Sequence, residues 1–524
     1  MQVNNRENVY ASICPGCGLA CGLYLRETVS ETGEALVSVD FRKSAQVNAG
    51  KLCSFGLKLP LYYAEPQTSM VKGQKSELEA AISASIEALK TAPVKSLAFF
   101  SVGNATNEEQ KAFSVLAGAF DKDVETGMGV YSSLPVSMHA ALNRNMSLEE
   151  VEKAKQVFLF VDPYSQYPLL LRRVLRAKEN GAKIVCIGPR HLPVADEQFC
   201  LKPGEYGKFL FPSQDSVLVA DIHPYSDPEH IKAVLELAEV SGSKTLILKP
   251  FANSAGAGLL TANTKQCTLE KLLEGIDSGK IKTLFCLESD FLELTPDREA
   301  AVRALSKLDS LIVQTSSRGE LSRLADIVIA SEPFYRKQGT VLNAEGRLLS
   351  IGGDSTLSFD ALSSLAAAFG KQLDFESARK EVFEDFGLKK AGEFAFRAPA
   401  EPCSGPVETE APCSKYEPGQ KSCSIFLSES LQEYSSASIS ASLVYSLSPF
   451  MWHGLEDEND FVELNLRMIR RLGLVKGGTV KIRSQGKIVD IKFRVSSIED
   501  GYLLSSQRLP ITGFPGVEVK FSVR

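Results

Sequence analysis

Residues 155–188 read KQVFLFVDPYSQYPLLLRRVLRAKENGAKIVCIG, and this run decides the fold class. KQVFLFVDP is an apolar strand ended by Asp-Pro, PLLLRRVLRAKEN is a helix stopped by Gly181, and AKIVCIG is a second strand. A strand, a helix and a strand in this order form a crossover between parallel strands. The rhythm continues downstream through SKTLILKP, KTLFCLES, a helix opened by Thr295 and Pro296, and the strands SLIVQTS and DIVIAS. Upstream, SELEAAISASIEALKTA carries Leu78, Ile82, Ile86 and Leu89 at helical spacing, with Ser76 and Glu79 as a capping-box pair. The strand SLAFFSVG and the helix NATNEEQKAFSVLAGAF follow. Alternation of this kind predicts parallel sheets covered by helices, with ligand crevices at the carboxyl ends of the strands.

At 524 residues and 44% hydrophobic content the chain can bury several cores, and about three to four domains are expected. A net charge of -6 argues against nucleic acid as the main partner, because phosphate binding needs a basic surface. MQVNNRENVYAS has no apolar signal region, and no apolar run approaches a membrane span. A cytoplasmic protein is expected, with membrane association only through partner subunits.

The densest chemistry lies near the amino terminus, in ICPGCGLACGLYL (13–25) and GKLCSFG (50–56). Cys14, Cys17, Cys21 and Cys53 follow the pattern C-x2-C-x3-C-x31-C, a soft tetrahedral donor set that suits a 4Fe-4S cluster or zinc. Three close cysteines and one distant one favour the cube, since structural zinc ligands usually come two and two. Pro15, Gly16 and Gly18 keep the loop compact and let backbone N–H groups approach the sulfurs. Elsewhere the signals are weaker. His139, His191, His223, His230 and His453 are scattered and read as surface or hydrogen-bonded core residues; Gly256 and Gly258 in NSAGAGLL read as a turn. Residues 397–423 are rich in Pro, Ser and Glu and read as a linker, with Cys403, Cys413 and Cys423 as incidental thiols. Beyond it, GGTVKIRS, a QG turn, KIVDIKFRV, GYLLSS and VEVKFSV predict a small closed barrel.

Taken together, these segments resemble the large subunits of molybdopterin oxidoreductases, a family that includes formate dehydrogenases and the large iron-sulfur subunit of complex I (NADH-quinone oxidoreductase). CPGC, the third Cys and GKLC look like the family's cluster motif, NATNEE is similar to a formate dehydrogenase stretch beside the pterin, and VDPYSQYPLLLRRVLRAKENGAKIVCIGPR looks like its first pterin-nucleotide unit. LADIVIASEPFYRKQGTVLNAEGRLLSI closely resembles the complex I version, and FVELNLRMIRRLGLVKGGTVKIRS looks like the start of the terminal barrel. The resemblance implies an α/β multi-domain architecture with an N-terminal iron-sulfur cap (1–64), two parallel-sheet α/β domains (65–140 plus 330–396, and a Rossmann-like 141–329), the linker 397–423, and a C-terminal β-barrel (424–524).

Departures from the family pattern set the functional expectation. Tyr131 stands where active members carry a metal-ligating thiol, and Phe55 stands where they carry a Lys between cube and pterin. Gly188 replaces a strand-end Asp, and SLSPFMWHG, with Phe450 and Trp452, replaces a glycine-rich pterin segment. Ser132 or Ser133 could replace the thiol, but the surrounding words do not match that branch. The expectation is therefore an electron-transfer or scaffold subunit of a multi-subunit oxidoreductase, holding one 4Fe-4S cluster, lacking molybdopterin, and not itself the site of substrate chemistry. Partner subunits would carry further iron-sulfur clusters and flavin. The alternatives are a catalytic molybdenum or tungsten bis-pterin enzyme such as a formate dehydrogenase, and a zinc-binding interaction protein.

Overall fold

The computed structural model describes residues 6–29, 35–64, 66–134, 136–139, 141–143, 146–224, 226–261, 266–295, 297–395, 438–445, 448–455, 461–475, 478–484, 487–505, 509 and 517–522. The chain divides into two compact units, Met1–Phe396 with Ser446–Glu458, and Arg397–Tyr445 with Asn459–Arg524.

The first unit begins with an antiparallel sheet of Arg6–Ile13, Gly22–Val29 and Ala35–Asp40. Ile13 pairs with Gly22, so the first three motif cysteines occupy the connection between two strands. The fourth, Cys53, immediately precedes the helix Ser54–Tyr62.

Two larger sheets form the body. The five-stranded sheet runs Glu197–Phe199, Lys183–Ile187, Gln156–Leu159, Ser216–Asp221, Lys244–Leu248, every neighbour parallel. Helix Pro168–Glu179 joins Gln156–Leu159 to Lys183–Ile187, the crossover anticipated from residues 155–188. The seven-stranded sheet runs Gln74–Lys75, Met70–Val71, Ile327–Ala330, Ser310–Thr315, Thr283–Leu287, Leu97–Phe100, Val124–Glu125, parallel except for the hairpin at 70–75. Strand Thr283–Leu287 is buried along its whole length, which is why it reads as a continuous apolar run. Phe99, Phe285, Leu287, Ile312 and Ile329 pack against Ala112, Phe113 and Leu116 of helix Asn107–Gly118 and Leu362 and Leu365 of helix Leu357–Ala367.

Several local expectations differ from what forms. The strands at 283–330 join the sheet of residues 97–125 and not that of 156–248, so the expected boundary at 329 falls differently from the observed pairing. Helix Leu78–Thr91 is capped at Glu77, not Ser76: the Ser76 N–H ends the preceding hairpin by donating to Ser69 O at 2.9 Å. Asp297, whose side chain accepts from Ala300 N–H, opens helix Arg298–Leu305 in place of Thr295, while Pro296 lies outside the described residues. Gly256 and Gly258 lie in a helix, Ser254–Thr261, and not in a turn.

The second unit is a closed barrel with strand order Ser438–Tyr445, Tyr502–Ser505, Phe461–Leu464, Lys487–Val495, Thr479–Ser484, Val517–Ser522. Leu443, Val462, Leu464, Val480, Ile482 and Leu503 fill its core. The linker 397–423 with its three cysteines lies outside the described residues. Ser446–Glu458, expected in the barrel, belongs instead to the first unit. Among the described residues no helix is long and apolar enough to cross a membrane.

Candidate iron-sulfur site

The loop between the first two cap strands closes on itself through Cys14 N–H to Cys21 O at 2.8 Å. Cys14, Cys17, Cys21 and Cys53 line one cavity, completed by Gly16, Leu19, Leu52, Phe55, Pro168, Leu169 and Pro449 among others. Cys14 and Cys21 are buried, and Cys17 and Cys53 are partly so. Burial, reinforced by Cys53 and Cys17, pushes the Cys14 thiol well above its ordinary pKa, and burial with Cys53 raises Cys17 to about 12. Burial also raises Cys21 strongly, with Arg173 offsetting part of it, and raises Cys53 against the pull of the Gly56 and Phe55 amides. Thiols that are buried or partly buried and repel each other's ionisation would need a cationic partner to be held together as thiolates. No group of three or more His, Cys, Asp or Glu side chains among the described residues is placed to share a single metal ion. Sulfurs on one zinc would lie about 3.8 Å apart, given Zn–S bonds near 2.3 Å.

The loop's backbone is held by distant parts of the chain. Trp452 Nε1–H donates to Gly16 O at 2.6 Å, and His453 Nε2 lies 3.2 Å from Pro15 O. Ala344 N–H donates to Gly18 O at 2.6 Å, Gly18 N–H to Lys249 O at 2.8 Å, and Asn343 Nδ2–H to Leu19 O at 3.3 Å. The N-A-E-G-R segment thus grips the cysteine loop directly. Glu345 secures it by accepting from Asn343, Arg347 and the Leu148 N–H, while the Arg347 guanidinium stacks on Phe394 at 4.1 Å. These approaches explain two glycines: a Cβ at Gly16 would sit 2.5 Å from the Phe55 ring, and one at Gly18 would sit 2.7 Å from Lys249 O.

Beside the loop, aromatic side chains pack against one another. Phe55 meets Phe450 at 5.4 Å and His453 at 5.0 Å; His453 also meets Tyr62 and Phe251; Trp452 lies 6.1 Å from Tyr167 and 5.6 Å from His223. Tyr131 is 1% exposed, and its hydroxyl accepts from Asn143 Nδ2–H at 3.2 Å while lying against Gly258. Ser132 Oγ donates to Gln266 O and Ser133 Oγ to Val130 O, so both hydroxyls are spent on backbone. Gly188 sits at the end of its strand with N–H to Phe199 O at 2.8 Å. His139, His223 and His230 bond Leu134 O, Asp221 and Tyr206 respectively.

Sequence reading missed the buried ion cluster at the start of the TNEE helix. Thr106 and Glu109 form a capping box, Glu108 accepts from Thr340 N–H at 2.8 Å, and Lys337 Nζ donates to Glu109 and Glu288. Burial raises Glu108 to about 7, against the Thr340 bonds that lower it. Burial would lower Lys337, but Glu109 and Glu288 outweigh it and hold its ammonium charged. Nothing but a polar run at a helix start signals this in the sequence. Lys249, Trp452 and His453 as loop holders were equally unsignalled.

Residues 7–62 match the family model described as the molybdopterin oxidoreductase Fe4S4 domain. That match covers the N-terminal cap alone. Over longer stretches the chain is similar to subunits of several oxidoreductases. The F420-dependent formate dehydrogenase subunit alpha of Methanocaldococcus jannaschii is 28% identical over 449 residues, covering 64% of this chain and 66% of that one. A subunit of the NADH-quinone oxidoreductase of Rhizobium meliloti is 35% identical over 98 residues, covering 19% of this chain and 12% of that one. The chain spans less than two thirds of the length of either relative. Among solved structures, acetylene hydratase from Pelobacter acetylenicus superposes with a TM-score of 0.56 at 11% identity, over 95% of this chain and 92% of that one, a likeness of fold.

Proposed function

We propose that Cys14, Cys17, Cys21 and Cys53 hold a 4Fe-4S cluster in a one-electron transfer or scaffold subunit of a multi-subunit oxidoreductase, and that the neighbouring pterin crevice is vestigial. The observation that carries this reading is the set of four thiols lining one cavity, two buried and two partly buried, on a loop whose carbonyls are tied down at Pro15, Gly16, Gly18 and Leu19. When bound, the cluster supplies one-electron redox chemistry. The chain's own residues exclude water with Phe55 and Leu19, direct the Gly16 N–H at the Cys14 sulfur from 3.4 Å, and hold the loop in one conformation. The spacing of three close cysteines and one distant one supports a cube over zinc. The hydrogen-bonded Tyr131 and the packed Phe55, Phe450 and Trp452 support a filled crevice.

Likeness to formate dehydrogenase alpha subunits favours a second reading, catalysis on formate or a similar small substrate with molybdenum or tungsten. Anoxic purification with metal analysis and EPR separates the two. About four irons per chain and no molybdenum or tungsten are expected; about one molybdenum or tungsten per chain would overturn the vestigial crevice, and zinc in place of iron would overturn the cluster. Tyr131→Phe should leave iron content and redox behaviour unchanged, with a stability loss of about 1 kcal/mol for the lost hydrogen bond.

A further inference from the structure

Around the fourth cysteine the charge of the chain reverses. Residues 41–64 contain Arg42, Lys43, Lys51 and Lys58 and no acidic residue, within a chain of net charge -6. Lys43, Lys51 and Lys58 are exposed. Gly50 folds its backbone against Lys43, where a Cβ would lie 3.0 Å from Lys43 Cα, so Lys43 and Lys51 are brought to the same edge of the loop. Helix Ser54–Tyr62 buries Phe55, Gly56 and Leu59 and turns Leu57, Lys58 and Leu61 outward; Leu57 is 51% and Leu61 64% exposed. The carboxylates of the adjoining cap strands are engaged by other cations, and the one negative charge left where Glu7 and Asp40 share Arg26 offsets only part of this charge. Arg26 holds Glu7 at 3.1 Å and Asp40 at 2.8 Å, and Arg336 with Tyr335 holds Glu27. Cys53 is one of the two less buried thiols, and Leu52 and Phe55 beside it line the same cavity.

We infer that this face, basic residues around the exposed pair Leu57 and Leu61, is the docking surface for an acidic electron-transfer protein. Two features point there. An apolar pair rimmed by like charges is the pattern of a specific protein interface, with a dry centre and a steering rim. The charge also flanks Cys53, one of the two partly buried thiols, so a partner of opposite charge is drawn to one edge of the proposed cluster site. The inference rests on the cluster assignment for its purpose but not for its binding. In the productive complex one electron would pass between the partner's reduced iron-sulfur centre and this chain, with no bond made or broken.

The test is equilibrium binding of an acidic two-cluster ferredoxin to the full chain, followed by calorimetry at low and high salt, with iron content measured on every sample. Binding at low salt that weakens as salt rises is expected. Lys43→Glu with Lys51→Glu should weaken it by roughly tenfold or more, with iron content unchanged. Leu61→Ser should weaken it without changing its salt dependence. Basic cytochrome c should not bind. Absence of ferredoxin binding, binding unaffected by the lysine reversals, or capture of the face by phosphatidylserine vesicles in place of ferredoxin would overturn the inference. Ferredoxin binding to a chain that holds no iron would keep the docking surface and remove the cluster.

Discussion

Lys249 follows the strand Lys244–Leu248 and is 1% exposed, and its Nζ donates to the carbonyls of Leu142 at 2.6 Å and Ile247 at 3.3 Å. Burial alone lowers its pKa to about 7. An unfolded lysine titrates near about 10.4, so between about 7 and 10 the unfolded chain binds a proton that the folded chain has lost, and stability rises with pH across that window. Below about 7 the full cost of charging is present, on the order of 3–5 kcal/mol. Lys249→Met should flatten this rise in anoxic melts at pH 7 and pH 9.5; an unchanged slope would show that the ammonium is not the source. Trp452 gives a second test at this scale. Trp452→Phe keeps an aromatic ring, though a smaller one, and removes the bond to Gly16 O, at a cost of about 1–3 kcal/mol for the carbonyl left behind. Visible absorbance should bleach faster in air than in the parent; equal bleaching rates would mean that the loop does not depend on this bond.

Between elements, polar side chains do work that apolar packing does elsewhere. Helix Asn107–Gly118 begins with Asn107, Glu108, Glu109 and Gln110, all buried, because Thr340, Lys337 and Ser101 receive them, Lys337 being shared with Glu288. Lys337→Met would strand Glu109 and Glu288 without their shared cation, and a loss of about 3–5 kcal/mol is expected in anoxic denaturant unfolding. Adding Glu109→Gln and Glu288→Gln to that variant should recover part of the loss. A single variant as stable as the parent would show the carboxylates to be already neutral. Element boundaries show how local patterns mislead. Ser76 and Glu79 spell a capping box, yet the Ser76 N–H is taken by Ser69 O, and the helix starts a residue later. Thr106 and Glu109 form a true box that the apolar periodicity of their helix did not single out.

At the scale of the molecule, the cap's three strands and one helix are few to hold themselves together. Ile13 and Ala20 pack with Ala252, Phe334, Val341 and Ile351 of the body, and the loop is tied to residues 249, 343, 344, 452 and 453. Removing iron with a chelator under anoxic conditions should therefore raise amide exchange in residues 14–21 and 48–56, while Leu97–Phe100, Thr283–Leu287 and Ser310–Thr315 stay protected. Uniform deprotection would mean that the cluster supports the whole unit; unchanged exchange would mean that the body alone orders the loop. The fold class, the crossover at 155–188 and the terminal barrel were legible because periodicity and turn residues act over a few positions. The sheet to which Thr283–Leu287 belongs was not, since its neighbour Leu97–Phe100 is remote in the chain and every buried parallel strand offers a similar apolar edge.

Amino-acid order alone determined that strands and helices alternate and that three cysteines lie close together with a fourth more than thirty residues on. Only the tertiary structure decided that 70–75, 97–125 and 283–330 make a single sheet, that Trp452 and His453 come back to the cysteine loop, and that Asn343 and Ala344 close on it. The physical reason is range. Helical and strand periodicity is set by near neighbours, whereas the choice among distant partners is made by which buried carbonyls and charges find a donor once the chain has closed on itself.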